Sequence, residues 1–419
     1  MTRAHSANTR EVTTGAVTAL VGFTSSFAVV ITGLTAVHAT DAQAASGLMA
    51  LSLLMGLATL ILALVHRLPI TAAWSTPGAA VLGGAGAAVG QFSDAVGAFL
   101  VCALCLVATG LWPWLGRHAR RIPGGIAQAM LAGVLFPICL QPVLGAATAP
   151  FAVLPVVLIW LVGLRFFPRW AVPLAMLVAA VVIAVHLNIA GLGVDASALV
   201  PTLSWTSPTF TITSLIGVAL PLYVVTMASQ NIPGVAVLRS FGYDTPWRSS
   251  LMVTGLSSAI GAPFGGHAVN LAAISAALAA GPESGVPKDR RWRSAVWTGT
   301  FYVILGLLSS AVVAVAVLAP QGVLATVAGV ALVSTLGSAV QGAWERADER
   351  IAVVATFLVA ASGVAFAGIS AAFWSLVVGL ILRWALAPRT PRAPGGDGDS
   401  TGDPTNPTNP TNPTNPTKS

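Results

Sequence analysis

Residues 261–270 read GAPFGGHAVN, set between SSAI and LAAISAALAA in what is otherwise an oily run. A segment built only for anchoring has no use for a proline, three glycines, a histidine and an asparagine within ten residues. Proline removes a backbone donor and disfavours helix in the residue before it, while glycine tolerates extended or left-handed backbone. Irregular backbone at membrane depth is tolerated only where protein or a water-filled cavity covers it. The stretch therefore predicts a broken helix at a site.

The rest of the chain has the composition of a polytopic membrane protein. Of 419 residues, 56% are hydrophobic and only 8% are charged, at a mean hydropathy of +0.84; soluble proteins average about 25% charged. The N-terminal MTRAHSANTREVTT is polar and leads into an apolar run too long for a signal-peptide core, so the first span is expected to be retained. The formal charge of +7 reflects membrane orientation rather than a nucleic-acid partner. Cys102, Cys105 and Cys139 all fall in apolar runs, which argues against a disulfide framework and leaves the C-x-x-C pair as small helix residues.

Runs of about 20 apolar residues, separated by charge or turn signals, mark fourteen spans. The first seven cover 12–37, 45–65, 69–89, 94–115, 124–144, 150–164 and 170–187; the second seven cover 209–227, 247–260, 261–280, 295–318, 323–340, 351–365 and 367–385. With this count all 20 Lys and Arg fall on one face, and the opposite loops hold only the acids Asp41, Asp94 and Asp195. The positive-inside rule then puts both termini in the cytoplasm.

A polar connection, GLGVDASALVPTLSWTSP, divides the chain into two sets of seven spans. An odd number requires the second set to enter the membrane inverted, the arrangement that places transporter sites between discontinuous helices. The expected organisation is an all-α polytopic membrane protein of 14 segments in a 7+7 inverted repeat. Residues 1–11 form a cytoplasmic N-terminal segment, 12–190 the first repeat, 191–208 the connection, 209–387 the second repeat, and 388–419 a disordered Pro/Thr/Asn-rich cytoplasmic tail. Span 3, ITAAWSTPGAAVLGGAGAA, is interrupted like span 10, so both are expected to begin extended and turn helical after Pro77 or Gly266.

The chemistry available inside the spans is sparse. His267 is the one titratable group placed well inside a span; Asp94 and His186 sit at outer ends, and Glu345, Asp348 and Glu349 in the connection after span 12. An imidazole can gain and lose a proton near neutral pH, which makes His267 the proton-coupling candidate. Asn270 either caps the half-helix or donates to a ligand. Exposed half-helix N-termini suit a carboxylate, with Ser75 and Thr76 adding hydroxyls at the span 3 break and Gly265 and Gly266 opening the backbone at the other. Trp74 and Phe264 are placed to flank an apolar ring. In span 8, Ser229, Gln230 and Asn231 either orient a substrate or satisfy the helix end before Pro233, and Tyr223 offers an aromatic face with a hydroxyl. Thr24, Ser25 and Ser26 of span 1 are assigned to hydrogen bonding between helices.

At AWSTPGAAVL, PLYVVTMASQNIPGVAVLRSFGY, GAPFGGHAVNLAAISAAL and ISAAFWSLVVGL the chain resembles the benzoate/proton symporters of bacterial inner membranes (BenE). The resemblance covers nearly the whole membrane region and implies a fold similar to the nucleobase/ascorbate and sulfate transporter superfamily, with a core and a gate domain and facing strands in spans 3 and 10. Nucleobase relatives carry carboxylates in spans 8 and 10, whereas ASQNIPG and FGGHAVN contain none, a departure that suits an anionic substrate. The resemblance thus implies uptake of benzoate or a similar aromatic carboxylate with a proton, at the inner membrane, with no cofactor. A different small anion, a nucleobase-like compound or a passive anion channel is the alternative. A homodimer is among the assemblies such a chain could form. An enzyme is disfavoured, because the spans lack paired carboxylates, a Ser/His/Asp set or a metal cluster.

Overall fold

The computed structural model describes residues 2–112, 123–191, 193, 196–345 and 349–386. The expectations for Arg117, Arg120, Arg121, Asp195, Arg346, Asp348 and the 388–419 tail lie outside these residues.

The chain forms a mostly helical, polytopic membrane-type fold. In order, the elements are α1 (Thr2–Thr24), α2 (Phe27–Ala36), α3 (Asp41–His66), β1 (Ala72–Trp74), α4 (Thr76–Gly83), α5 (Phe92–Leu111), α6 (Gly124–Thr148), α7 (Pro150–Phe166) and α8 (Ala171–Ala190). After the connection come α9 (Ile212–Ser240), α10 (Trp247–Gly261), β2 (Val269–Leu271), α11 (Ile274–Ala280), α12 (Arg291–Leu307), α13 (Ser309–Val317), α14 (Val323–Ala343), α15 (Arg350–Ser362) and α16 (Ala371–Ala385). Among the described residues, seven helical segments are long and apolar enough to cross a membrane, or eight if α12 and α13, bent by 50°, count as one. Helices α7, α15 and α16 are apolar but shorter. Large apolar side chains face outward, Phe151 at 95% and Trp384 at 82% exposure, which suits lipid rather than water.

The helices pack as two groups. One holds α6, α7, α8, α14, α15 and α16; the other holds α1 to α5 and α9 to α13, with β1 and β2 inside it. Lipid tails are as apolar as leucine, so helices in a membrane associate through close packing of small residues. Gly56 of α3 and Gly299 of α12 show this: a Cβ on either would stand 2.8 or 2.7 Å from the other's carbonyl oxygen.

Local chemistry sets the breaks. Proline cannot donate a backbone hydrogen bond, and each of two prolines in α9 is preceded by a widened π turn. Leu220 N–H, just before Pro221, bonds to Leu215 O, and Ile232 N–H, just before Pro233, bonds to Met227 O. The helix consequently continues to Ser240, a correction to the expected end at Met227: the π turn absorbs Pro233 without ending the helix. A second correction concerns span 10. Gly266 is followed by strand β2, and helix resumes only at Ile274, so Asn270 is a strand residue and not a helix cap. Spans 1 and 11, expected as single helices, each divide into two, at Ser25–Ser26 and at Leu308.

The turn before β2 depends on Gly265, whose φ of +90° is disfavoured for residues with a side chain. An added Cβ would also lie 3.1 Å from Gly47 Cα and 3.2 Å from Gln43 O. Gly265→Ala should cost about 1–3 kcal/mol, measured as a lower thermal-unfolding midpoint in detergent. Gly337→Ala on α14, where a methyl meets open space, should leave the midpoint unchanged or slightly raised. Equal midpoints for the two variants would refute the strain at Gly265.

Candidate functional site

Strands β1 and β2 cross as an antiparallel pair, with Ala72 opposite Leu271, Ala73 opposite Asn270 and Trp74 opposite Val269. The pairing extends one step at each end: Ser75 N–H donates to Ala268 O and Ala272 N–H to Thr71 O, both at 2.9 Å. Outward-facing N–H groups are taken up by buried side chains. Thr59 Oγ1 accepts from Ala72 (2.9 Å), Ser258 Oγ from Val269 (2.8 Å) and Asn231 Oδ1 from Leu271 (2.9 Å). Helix α4 then starts by ordinary capping chemistry: Ser75 Oγ accepts from Gly78 N–H at 3.1 Å, and Pro77 occupies the first turn, where its missing donor costs nothing. Ser75 Oγ also shares a proton with Thr226 Oγ1 of α9 at 2.9 Å.

His267 is fully buried beside this crossing. Its Nε2 lies 2.9 Å from Ser75 O, and since a carbonyl can only accept, Nε2 carries the proton. Its Nδ1 is buried without a hydrogen-bond partner among the described residues, and the ring meets Phe99 edge-on at 6.2 Å. Asn270 is equally buried; the amide orientation that satisfies its neighbours donates to Leu271 O at 2.8 Å and accepts from Ser75 N–H at 3.1 Å.

A cavity of about 240 Å³ opens where the break meets the second helix group. The first group supplies Gly22, Ser25 and Ser26 at the α1–α2 break, Met55, Ala73 and Trp74, Thr76 and Pro77 at the start of α4, Gln230 in the α9 π turn, Ser275 and Tyr302. The second group faces it with Pro168, Val172 and Pro173 at the start of α8 and with Ala331, Leu332, Ser334 and Thr335 of α14. Among the described residues, none of those lining the cavity is charged. The arrangement can hold a flat apolar body and offer it neutral hydroxyl and amide donors.

Of the residues singled out in the sequence, the structure brings Trp74, Thr76 and Gln230 to the cavity wall. Ser75, Asn231, His267 and Asn270 sit one layer behind, engaged with backbone. Ser229 donates back to Val225 O within its own helix. Tyr223 points to α5, where its hydroxyl meets Thr109 Oγ1 at 2.7 Å. Phe264 packs edge-on against Trp205 of the connection at 5.4 Å, while its carbonyl accepts from Ser46 Oγ at 2.9 Å. Gly265 and Gly266 form the turn beside it, where Gly266 N–H bonds to Gly261 O. The structure therefore does not bring Tyr223, Phe264, Gly265 and Gly266 to the cavity.

The cavity residues missed in the sequence are Ser275, Tyr302 and the second group's face. Ser26 had been assigned to helix contacts; it accepts from Trp74 Nε1 at 2.8 Å and also lines the cavity. Tyr302 carried a usable signal, since the chain has only three tyrosines and this one falls well inside an apolar span. The α8 positions carried none, because valine and proline there look like any lipid-embedded helix, while α14 carried a weak one in the adjacent hydroxyls of Ser334 and Thr335.

Comparison with known proteins agrees with this architecture. A family model for BenE, benzoate membrane transport protein, matches residues 5–384. The inner membrane protein YdcO of Escherichia coli is 37% identical over 366 residues, covering 87% of this chain and 93% of that protein. The benzoate membrane transport protein of Acinetobacter baylyi is 30% identical over 345 residues, covering 82% and 86%. In fold, the chain is similar to the transmembrane domain of the cyanobacterial bicarbonate transporter BicA (TM-score 0.57, 15% identity, 89% of this chain and 96% of that one). It is also similar to the murine Slc26a9 anion transporter in its inward-facing state (TM-score 0.54, 12% identity, 90% and 68%). With the family model spanning almost all the described residues, the chain belongs to the BenE family of benzoate membrane transport proteins.

Proposed function

We propose that the protein is a secondary active transporter that takes up benzoate, or a similar aromatic carboxylate, together with a proton by alternating access. The observation that carries this reading is the cavity at the start of α4: its walls suit a ring, and among the described residues its donors are neutral and no acid lines it to repel an anion. At 240 Å³ it exceeds the roughly 150 Å³ that suffices for benzene. Membership of a benzoate transport family and likeness to anion-transporter folds support the same reading.

On this proposal the seven long segments, the bent α12–α13, the three shorter helices, α10 and the two strand–helix units make fourteen crossings. Residues 12–190 and 209–387 form inverted halves, and both termini are cytoplasmic at the bacterial inner membrane. The group containing β1 and β2 is the core, and the group of α6 to α8 and α14 to α16 is the gate that moves against it. The carboxylate is held at the α4 N-terminus by Thr76 and by the Gln230 amide, with Trp74 and Pro77 against the ring. Ser75, Asn231 and Asn270 position these groups through the strand crossing.

For the proton, His267 is the candidate. Its Nε2–H is committed to Ser75 O, so a proton arriving at the unpartnered Nδ1 would place positive charge directly behind the α4 N-terminus. Burying either charge alone is costly, so proton and anion are favoured together.

In proteoliposomes, an inward proton gradient should drive accumulation of labelled benzoate, and a protonophore should abolish it; flux indifferent to the gradient would instead indicate a passive anion pathway. Thr76→Val and Gln230→Ala should each weaken benzoate binding about 5–10-fold, the effect of one lost hydrogen bond near 1–1.5 kcal/mol. His267→Gln, whose amide can still donate to Ser75 O, should lose the dependence of uptake on the gradient. Retained dependence in that variant would reduce His267 to a strut.

A further inference from the structure

After Trp74, Tyr302 is the largest fully buried side chain in the protein. It reaches from α12 to the cavity, and its hydroxyl fills the space beside Gly22 where any side chain on α1 would stand. Ser275 lines the same cavity, and its Oγ lies 3.1 Å from Thr71 Oγ1. Tyr302 and Ser275 line the cavity, and Thr71 is buried behind them.

Each of these hydroxyls can both donate and accept, and either atom of the Thr71–Ser275 pair could be the donor. Thr71 Oγ1 has Ser275 as its side-chain partner among the described residues. Whichever way the protons run, Ser275 and Tyr302 turn hydroxyls toward the cavity wall, and a hydroxyl on a ligand can answer either a donor or an acceptor. Trp74 cannot add a donor there, because its Nε1–H is already given to Ser26.

We propose that the Tyr302 and Ser275 hydroxyls bind a polar substituent on the substrate ring, so that the preferred cargo is a hydroxy-substituted aromatic carboxylate rather than benzoate. This rests on the aromatic-carboxylate reading above. The space beyond the roughly 150 Å³ needed for a bare ring accommodates the carboxylate and one small substituent. A site that aims a buried O–H at its ligand discriminates against the analogue that leaves it unpaired.

The test is binding of benzoate, 3-hydroxybenzoate and 4-hydroxybenzoate to the purified protein in detergent, by calorimetry. In the unaltered protein the better hydroxy isomer should bind with a Kd roughly tenfold below that of benzoate, about one hydrogen bond's worth. Tyr302→Phe should bring that ratio to about one. Benzoate binding as well as or better than both isomers in the unaltered protein overturns the proposal by itself. So does a ratio preserved in Tyr302→Phe, including the case where all ligands weaken by the same factor, which would put Tyr302 on the carboxylate instead. Should Tyr302→Phe not fold, Ser275→Ala is read by the same ratio. Failure of the unaltered protein to bind any of the three acids would overturn the aromatic-carboxylate reading itself, an outcome distinct from an altered ratio.

Discussion

In a hydrocarbon medium every backbone N–H and C=O must find a partner within the protein, and two strands of three residues cannot satisfy themselves. This constraint organises the centre of the molecule. Each strand has one edge on the other strand and one edge that would be bare. Thr59, Asn231 and Ser258 close the bare edges, and all three are essentially inaccessible. An unpaired backbone group in such surroundings costs several kcal/mol, so these side chains are conditions for having a break at all.

That requirement divides the polar residues near the break into two kinds. Asn231, His267, Asn270 and Ser75 each bond to backbone at the strand crossing or the α4 start and hold the break in place. Thr76, Gln230, Ser275 and Tyr302 border open space. Adjacent positions fall into opposite kinds: Gln230 reaches the cavity while Asn231 turns to the strand, because the π turn ahead of Pro233 widens the helix there. The connection between the halves plays a separate role. Ser204 and Thr206 bond to the α3 start and the turn before β2, where Thr206 N–H meets Pro263 O at 2.7 Å, and Trp205 covers Phe264, so this end of the broken segment is packed against the connection rather than the cavity.

Much of the architecture was legible in the sequence because its causes are local. Two Pro/Gly interruptions in oily runs announced the broken segments, and Ser75 before Thr76–Pro77 is a recognisable helix start. The misreadings were also local in origin. Pro233 has the same chemistry whether it ends a helix or is absorbed by a π turn, and Gly266 the same freedom whether helix or strand follows. Tyr223 and Tyr302 look equivalent as isolated residues in apolar runs, yet one bonds to Thr109 across α5 and the other fits the space left by Gly22.

The sequence by itself determined that the chain lies in a membrane, that its continuity fails at two places, and that no acid stands at either. Hydropathy and backbone stereochemistry are properties of each segment, whatever surrounds it. Which polar groups face open space was decided only by the tertiary structure. A donor is free to bind a ligand only when no backbone acceptor or partner side chain has claimed it, and those partners come from segments 151 to 192 residues apart in the chain, as with Ser75 and Thr226 or His267 and Ser75.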